Sequence, residues 1–236
     1  MVIREAIILA GGLGTRLRSV VPDLPKCMAP VNGKPFLTYV INHLLSEGIN
    51  HFIFSLGYKS EPIIEFLERD FPRLLFKTSI EDEPLGTGGA VKKALKIAKD
   101  KNVLVTNGDT LFKIDVDLLA GIHALSGACC SLSLKPMQNF YRYGVVEVNK
   151  SNVIVSFKEK QFYQSGLING GVYAVHKNKF LNEDLPEKFS FEKDYLEKFY
   201  GVRRMFGVTQ NRYFIDIGIP EDFSRAQVEL RALEID

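Results

Sequence analysis

The stretch from Ala6 to Leu17, A-I-I-L-A-G-G-L-G-T-R-L, followed by Lys26, carries the residue types needed to hold a chain of phosphates. Gly11, Gly12 and Gly14 give backbone without Cβ atoms, able to take positive φ and to approach a ligand closely. Such a loop aims N–H groups at phosphate oxygens, Thr15 adds a hydroxyl, and Arg16 and Lys26 add cations. Leu9 and Ala10 lead the backbone into the loop and are counted with its nucleotide-binding residues. A plain turn after a strand needs neither three glycines nor two placed cations. The P-loop pattern G-x-x-x-x-G-K-[ST] is excluded, because Arg16 stands five residues after Gly11 and no G-K-[ST] occurs in the chain. The dinucleotide pattern G-x-G-x-x-G fails at Leu17, and the next strand ends in Ser55, Leu56 and Gly57 without an acid to hold a ribose.

Two further groups of residues suit the same chemistry. Asp109, in Thr106-Asn107-Gly108-Asp109, follows the apolar run Val103–Val105, so its carboxylate falls at a strand's carboxyl end, opposite the glycine loop. Mg²⁺ prefers oxygen ligands and is held by one or two carboxylates plus substrate phosphates, so Asp109 is well placed for it, the other reading being an aspartate in a turn after a strand. The run Glu81 to Gly89, E-D-E-P-L-G-T-G-G, is a glycine-rich turn opening a helix and can lie against a flat base. Glu83 offers an acceptor there, and Gly86, Thr87 and the helix N-terminal N–H groups complete the candidate base site. Backbone carbonyls from Pro84 to Gly86 are the alternative acceptors, with Glu83 then only capping the helix. Asp115-Val116-Asp117 spells a D-x-D metal motif, but these acids sit at the start of a helix, where they complement its dipole. His43, His51, His123 and His176 show no metal spacing, and no G-x-S-x-G elbow supports hydrolase chemistry.

The elements that must position these groups follow from periodicity. Strand Ile3–Leu9 leads into the glycine loop, helix Phe36–Glu47 ends at Gly48, and strand His51–Leu56 follows. Ser60 is expected to cap a helix through Arg69 with Pro62 in its first turn. Strand Leu74–Ile80, helix Gly88–Lys99 and strand Val103–Thr106 continue the alternation. The second half reads as strands at Cys129–Leu134, Tyr143–Val148, Val153–Lys158 and Leu167–His176. A helix near Phe191–Tyr200, a strand at Arg212–Ile217 and a helix at Glu221–Ala232 close the chain. Alternation of this kind predicts an α/β fold, Rossmann-like, with helices on both faces of a mostly parallel sheet and a mixed or antiparallel second half.

The 236 residues are 46% hydrophobic and 25% charged, which fits a single domain over 1–236 burying about 70% or more of its unfolded surface. A net charge of +2 implies no nucleic-acid or anionic membrane partner. No apolar run approaches the ~20 residues of a membrane span, and the first strand lies at the N-terminus, so no signal peptide is expected. Cys27, Cys129 and Cys130 form no C-x-x-C pair, and the expected compartment is the reducing cytoplasm.

G-G-L-G-T-R-L with Pro25-Lys26 downstream resembles the signature of the sugar-1-phosphate nucleotidyltransferases. These enzymes join a nucleoside triphosphate to a sugar 1-phosphate and release pyrophosphate. Cys27 departs from the second proline often found there, and leaves the cation in place. The resemblance implies the nucleotide-diphospho-sugar transferase type of fold, Mg²⁺ as cofactor and catalytic roles for Arg16, Lys26 and Asp109. F-I-D-I-G-I-P is similar to the family's D-I-G-T-P-like stretch and implies Asp216 as second metal ligand, with Ile219 in place of threonine. E-P-L-G-T-x-G resembles the base loop of mannose-1-phosphate guanylyltransferases more than that of thymidylyltransferases, where a glutamine is usual, so GTP is the expected nucleotide. Three pieces resemble the sugar-phosphate side: Tyr143-Gly144, Glu159-Lys160 and Asn169-Gly170-Gly171, implying Gly144, Glu159, Lys160 and Asn169 as contacts. R-Y-G-V-V-E, L-I-N-G-G-V-Y and K-F-S-F-E-K-D-Y-L-E together resemble the branch that guanylylates heptose 1-phosphates. Mannose 1-phosphate as substrate and uridylyl or thymidylyl transfer stay open, as do a metal-dependent glycosyltransferase, a dead regulatory relative and a homo-oligomer.

Overall fold

The computed structural model describes residues 2–12, 17, 21–22, 24–57 and 59–233. Gly14, Thr15 and Arg16 therefore lie outside the described residues. The chain runs β1 (Glu5–Leu9), a 3₁₀ turn (Lys26–Met28), β2 (Pro30–Val31), β3 (Lys34–Pro35), α1 (Phe36–Ser46), β4 (His51–Leu56), α2 (Glu61–Asp70), β5 (Leu75–Ile80), α3 (Gly86–Ile97) and β6 (Asn102–Asn107). It continues through β7 (Thr110–Phe112), α4 (Val116–Ser126), β8 (Cys130–Phe140), β9 (Val145–Val148), β10 (Ile154–Lys158) and β11 (Tyr163–His176). A short α5 (Lys177–Leu181), a π-helical turn (Phe191–Leu196) running into α6 (Glu197–Phe199), β12 (Phe206–Thr209), β13 (Phe214–Asp216) and α7 (Pro220–Leu233) complete it.

The main sheet has the order β10-β9-β11-β6-β1-β4-β5, with β8 beside β11 and β12 beside β8. β5, β4, β1 and β6 are parallel, whereas β11 runs antiparallel to β6. β1 is buried along most of its length, as a central parallel strand covered on both faces must be. Its side chains alternate between two cores. Ala6 and Ile8 pack with α1, α2, α4 and α7, while Ile7 packs with α3 and the aromatic group Tyr173, Phe180, Phe191 and Tyr195. Helices thus cover both faces, as the alternation predicts. Glu5, only 3% exposed, takes the backbone N–H groups of Lys99 and Asp100 at 2.8 Å each, which offsets the cost of burying its carboxylate.

Several boundaries differ from the sequence expectation. β7, β12 and α5 were not expected, because stretches of three to five residues are too short to show a period. Asp115 stands at the start of α4 as expected and in addition caps it, accepting from Leu118 N at 2.8 Å. Ser60 makes no side-chain cap bond: its φ of −70° and ψ of −31° are already helical, where an N-cap side chain cannot turn back. The helix expected near Phe191–Tyr200 is a π turn followed by a single α turn.

α3 begins earlier than expected, at Gly86, whose φ of +73° makes the turn into the helix. Gly88 and Gly89 are buried against the segment from Glu187 to Phe189, so they serve close packing rather than open approach to a ligand. A Cβ on Gly89 would meet Glu187 O at 2.2 Å and Leu85 Cβ at 2.7 Å. Gly89→Ala gains about 1 kcal/mol of helix propensity but overpacks a backbone contact, at about 1–3 kcal/mol. A lower Tm, by about 2–6 °C, is the expected result in thermal melting; an unchanged or raised Tm would show that the 187–189 segment yields.

Candidate active site

The carboxyl ends of the central strands meet in register, with Leu9 opposite both Ser55 of β4 and Asn107 of β6. β1 is where the order reverses: the chain goes outward through β4 and β5, then returns to β6 on the other side. In open α/β sheets the ligand crevice lies at such a switch point. A cavity of about 980 Å³ opens there. Leu9, Ala10, Gly11, Gly12, Lys26, Glu83, Gly86, Thr87 and Asp109 all line it, so the described members of the predicted nucleotide site are brought together. A Cβ on Gly11 would stand 2.9 Å from Gly57 N, whereas Gly12 has nothing within 4 Å and presents open backbone.

Lys26, Asp109 and Asp216 form the charged centre. Lys26 Nζ pairs with Asp109 Oδ2 and lies 3.6 Å from Asp216 Oδ1. Two strands outside the main sheet make this meeting possible: β13 pairs antiparallel with β7, setting Asp216 opposite Thr110. The Asp109 carbonyl accepts from Ile217 N at 3.1 Å, and Thr110 Oγ1 stands 3.3 Å from Asp109 Oδ1. Asp216 Oδ1 accepts from Gly218 N at 2.7 Å, and Oδ2 accepts from the Tyr143 hydroxyl at 3.3 Å with Arg142 Nη2 at 3.5 Å. Arg142 also pairs with Asp222 in the first turn of α7. Burial, then the charge of Asp216, raises the Tyr143 phenol, which stays a neutral donor. Burial, then the charge of Asp109, pushes the Cys27 thiol up to about 12, so this cavity-lining cysteine is no nucleophile at neutral pH. Two carboxylates converging on one cation supply hard oxygen donors of the kind Mg²⁺ takes alongside substrate phosphates, so these residues fit that ion.

The base loop is arranged differently from the sequence expectation. Glu81, not Glu83, accepts from Leu85 N at 2.8 Å at the entry to α3. Glu83 is exposed, lines the cavity and has no side-chain partner among the described residues. The Thr87 hydroxyl is already engaged, donating to Glu192 Oε2 at 2.8 Å and accepting from Phe191 N at 2.9 Å. Of the predicted sugar-phosphate residues, Gly144, Glu159, Lys160 and Asn169 do not line the cavity. Asn169 is bonded within β11, its Nδ2 donating to the Tyr173 hydroxyl at 2.9 Å and its Oδ1 accepting from Gly171 N at 3.0 Å. Gly144 is required by packing, since a Cβ there would meet Lys158 O at 2.3 Å.

Asn107, Glu192, Arg142 and Asp222 were not singled out from the sequence. Asn107 had a usable signal, being the last residue of β6. The others depend on partners far along the chain.

A sheet whose parallel strands β5, β4, β1 and β6 have their switch point at a glycine loop, and a lysine held between two carboxylates at the cavity, define a nucleotide-binding α/β transferase. The chain belongs to the nucleotidyl transferase family, whose model matches residues 5–232. It is 48% identical over 227 residues to a D-glycero-alpha-D-manno-heptose 1-phosphate guanylyltransferase of Aneurinibacillus thermoaerophilus, covering 96% of this chain and 98% of the relative. A protein of the same description from Campylobacter jejuni is 46% identical, over 93% of this chain and 96% of its own length. The crystal structure of HddC from Yersinia pseudotuberculosis complexed with GMP-PN matches with a TM-score of 0.86 at 37% identity, covering 97% of this chain and 100% of that one. Among the described residues no helix is long and apolar enough to cross a membrane.

Proposed function

We propose that this enzyme transfers a guanylyl group from GTP to D-glycero-α-D-manno-heptose 1-phosphate, giving the GDP-sugar and pyrophosphate. A phosphate oxygen of the sugar 1-phosphate attacks the α-phosphorus, and the bond to the β-phosphate breaks with its electron pair leaving on pyrophosphate. The attacking phosphate is already a competent nucleophile, so no serine or cysteine is required, in keeping with the neutral Cys27 thiol. The meeting of Lys26, Asp109 and Asp216 beside the cavity is the observation that carries this chemistry. The base and the sugar rest on similarity to the heptose 1-phosphate guanylyltransferases.

Catalysis is then positioning and charge stabilisation. The open backbone at Gly12 gives the triphosphate close approach, and Lys26 stabilises negative charge as it shifts onto pyrophosphate, with Arg16 in the same role. Asp109 and Asp216 would hold Mg²⁺, which when bound neutralises phosphate charge. Lys160 and Glu159, with Gly144 and Asn169, are kept as the sugar-phosphate side. Pyrophosphate release from four nucleoside triphosphates against a panel of sugar 1-phosphates tests the proposal. GTP with the heptose 1-phosphate is expected to give the highest kcat/KM. A preference for UTP or dTTP would overturn the guanine assignment and leave nucleotidyl transfer standing; a preference for mannose 1-phosphate would reassign the sugar.

Glu83 is the proposed reader of guanine. Its carboxylate has both oxygens available among the described residues, and guanine presents N1–H and an exocyclic amine as paired donors. Glu83→Gln is expected to reduce the preference for GTP over UTP by about 1–3 kcal/mol, the scale of a bidentate base contact. An unchanged preference would hand the reading to the carbonyls of Pro84 to Gly86.

A further inference from the structure

Glu192 lines the same cavity and has no role in the proposed chemistry so far. It follows Phe191, which is fully buried and packs its ring against Tyr173 with centroids 4.9 Å apart. Two hydroxyls converge on one of its oxygens: Thr87 Oγ1 at 2.8 Å and Ser190 Oγ at 3.3 Å, both on Oε2. Among the described residues Oε1 accepts no hydrogen bond. The carboxylate is therefore held at Oε2 by two donors, next in the chain to a buried ring, with one oxygen left to a ligand. Fixing an acceptor in advance removes the entropy of ordering it at binding.

The ligand group follows from what a single oxygen can accept. The paired donors of guanine call for two free oxygens in one plane, which Glu83 has and Glu192 lacks. A lone acceptor suits a lone hydroxyl. Position favours the sugar over the nucleoside. Glu192 joins the Thr87 end of α3 to the β11 flank of the crevice: Phe191 lies on Tyr173 of β11, whose hydroxyl receives Nδ2 of Asn169, a residue of the proposed sugar-phosphate side, at 2.9 Å.

We propose that Glu192 is a specificity-determining residue that accepts a hydrogen bond through Oε1 from a hydroxyl of the sugar 1-phosphate. The inference rests on the sugar-1-phosphate reading above and deepens it. Thr87 and Ser190 act through Glu192 as positioning residues, which also gives the Thr87 hydroxyl a purpose other than base contact.

The test uses steady-state kinetics of the full chain with the sugar 1-phosphate that wild type accepts best, so the wild-type panel scores the sugar reading and the variant-to-wild-type ratio scores Glu192. Glu192→Gln keeps size and shape, and Glu192→Ala removes the acceptor. The expected result in Glu192→Ala is a KM for the sugar 1-phosphate raised by about 10- to 100-fold, the scale of a lost hydrogen bond to a charged group, with the KM for GTP unchanged. Glu192→Gln should fall between, since an amide oxygen is a weaker acceptor than a carboxylate. Deoxy analogues of the sugar phosphate give the second readout: one of them should weaken binding to wild type and make no difference to Glu192→Ala. A raised KM for GTP with the sugar KM unchanged would put Glu192 on the nucleoside. Equal sensitivity of wild type and Glu192→Ala to every deoxy analogue would reduce Glu192 to a tether between α3 and the π turn. If Glu192→Ala fails to melt cooperatively, Glu192→Gln with the same analogues decides between these outcomes.

Discussion

Asp109→Asn lowers turnover by about three orders of magnitude while the protein melts near the wild-type temperature. The exchange keeps the size of the side chain and an oxygen for Thr110 Oγ1, 3.3 Å away in the wild type, so the β7 strand has no reason to move. What disappears is the negative charge that pairs with Lys26 and that would hold Mg²⁺ on the phosphates. Removing one preorganised electrostatic group commonly costs about 10²–10³ in rate, and a residue that serves both a cation and a metal stands at or above the top of that range. Pyrophosphate release measures the loss, and thermal melting checks the fold. Activity within a few-fold of wild type would remove Asp109 from the centre.

Lys26→Ala is the second large effect, a loss of about 10²–10³ in kcat, corresponding to ~3–4 kcal/mol of transition-state stabilisation. Lys26 touches both Asp109 and Asp216, so its removal also leaves two carboxylates facing each other without their shared cation. The double variant Lys26→Ala with Asp109→Asn should therefore lose less than the two single losses combined, since groups that act as one unit are not additive. A defect confined to the KM of the sugar 1-phosphate would move Lys26 to the other substrate. Full additivity would mean that the ion pair in the structure has no part in the reaction.

The central architecture was legible because its signals are local. An apolar run ending in glycines marks β1 and its loop, and apolar positions at helical spacing mark α1 and α2. What was not legible depends on contacts between distant residues. Gly86 makes a turn, but Gly88 and Gly89 make room for the 187–189 backbone, and nothing in G-T-G-G tells these uses apart. Glu81 and Glu83 are two residues apart and chemically alike, yet only Glu81 reaches Leu85 N. Glu192 reads as one acid in an amphipathic stretch until its bond to Thr87, 105 positions earlier, is seen. Arg142 gains its meaning from Asp222, on a helix eighty positions later.

The β7–β13 pairing also sets a clock on the enzyme's own manufacture. Thr110 and Asp216 face each other across a ladder that closes a loop of more than a hundred residues, a contact of high sequence separation. At about 5–20 residues per second, a ribosome needs roughly 5–20 seconds between the two. During that interval the strands of the parallel sheet have all been synthesised, but Asp109 has no partner carboxylate. A nascent chain can thus own its glycine loop and crevice and still lack the means of turnover. Translation that stops short of β13 yields a chain without Asp216 and without α7, whose Phe223, Ala226 and Leu230 complete the core around Ala6 and Ile8, so the means of turnover and the last of the core are delivered together.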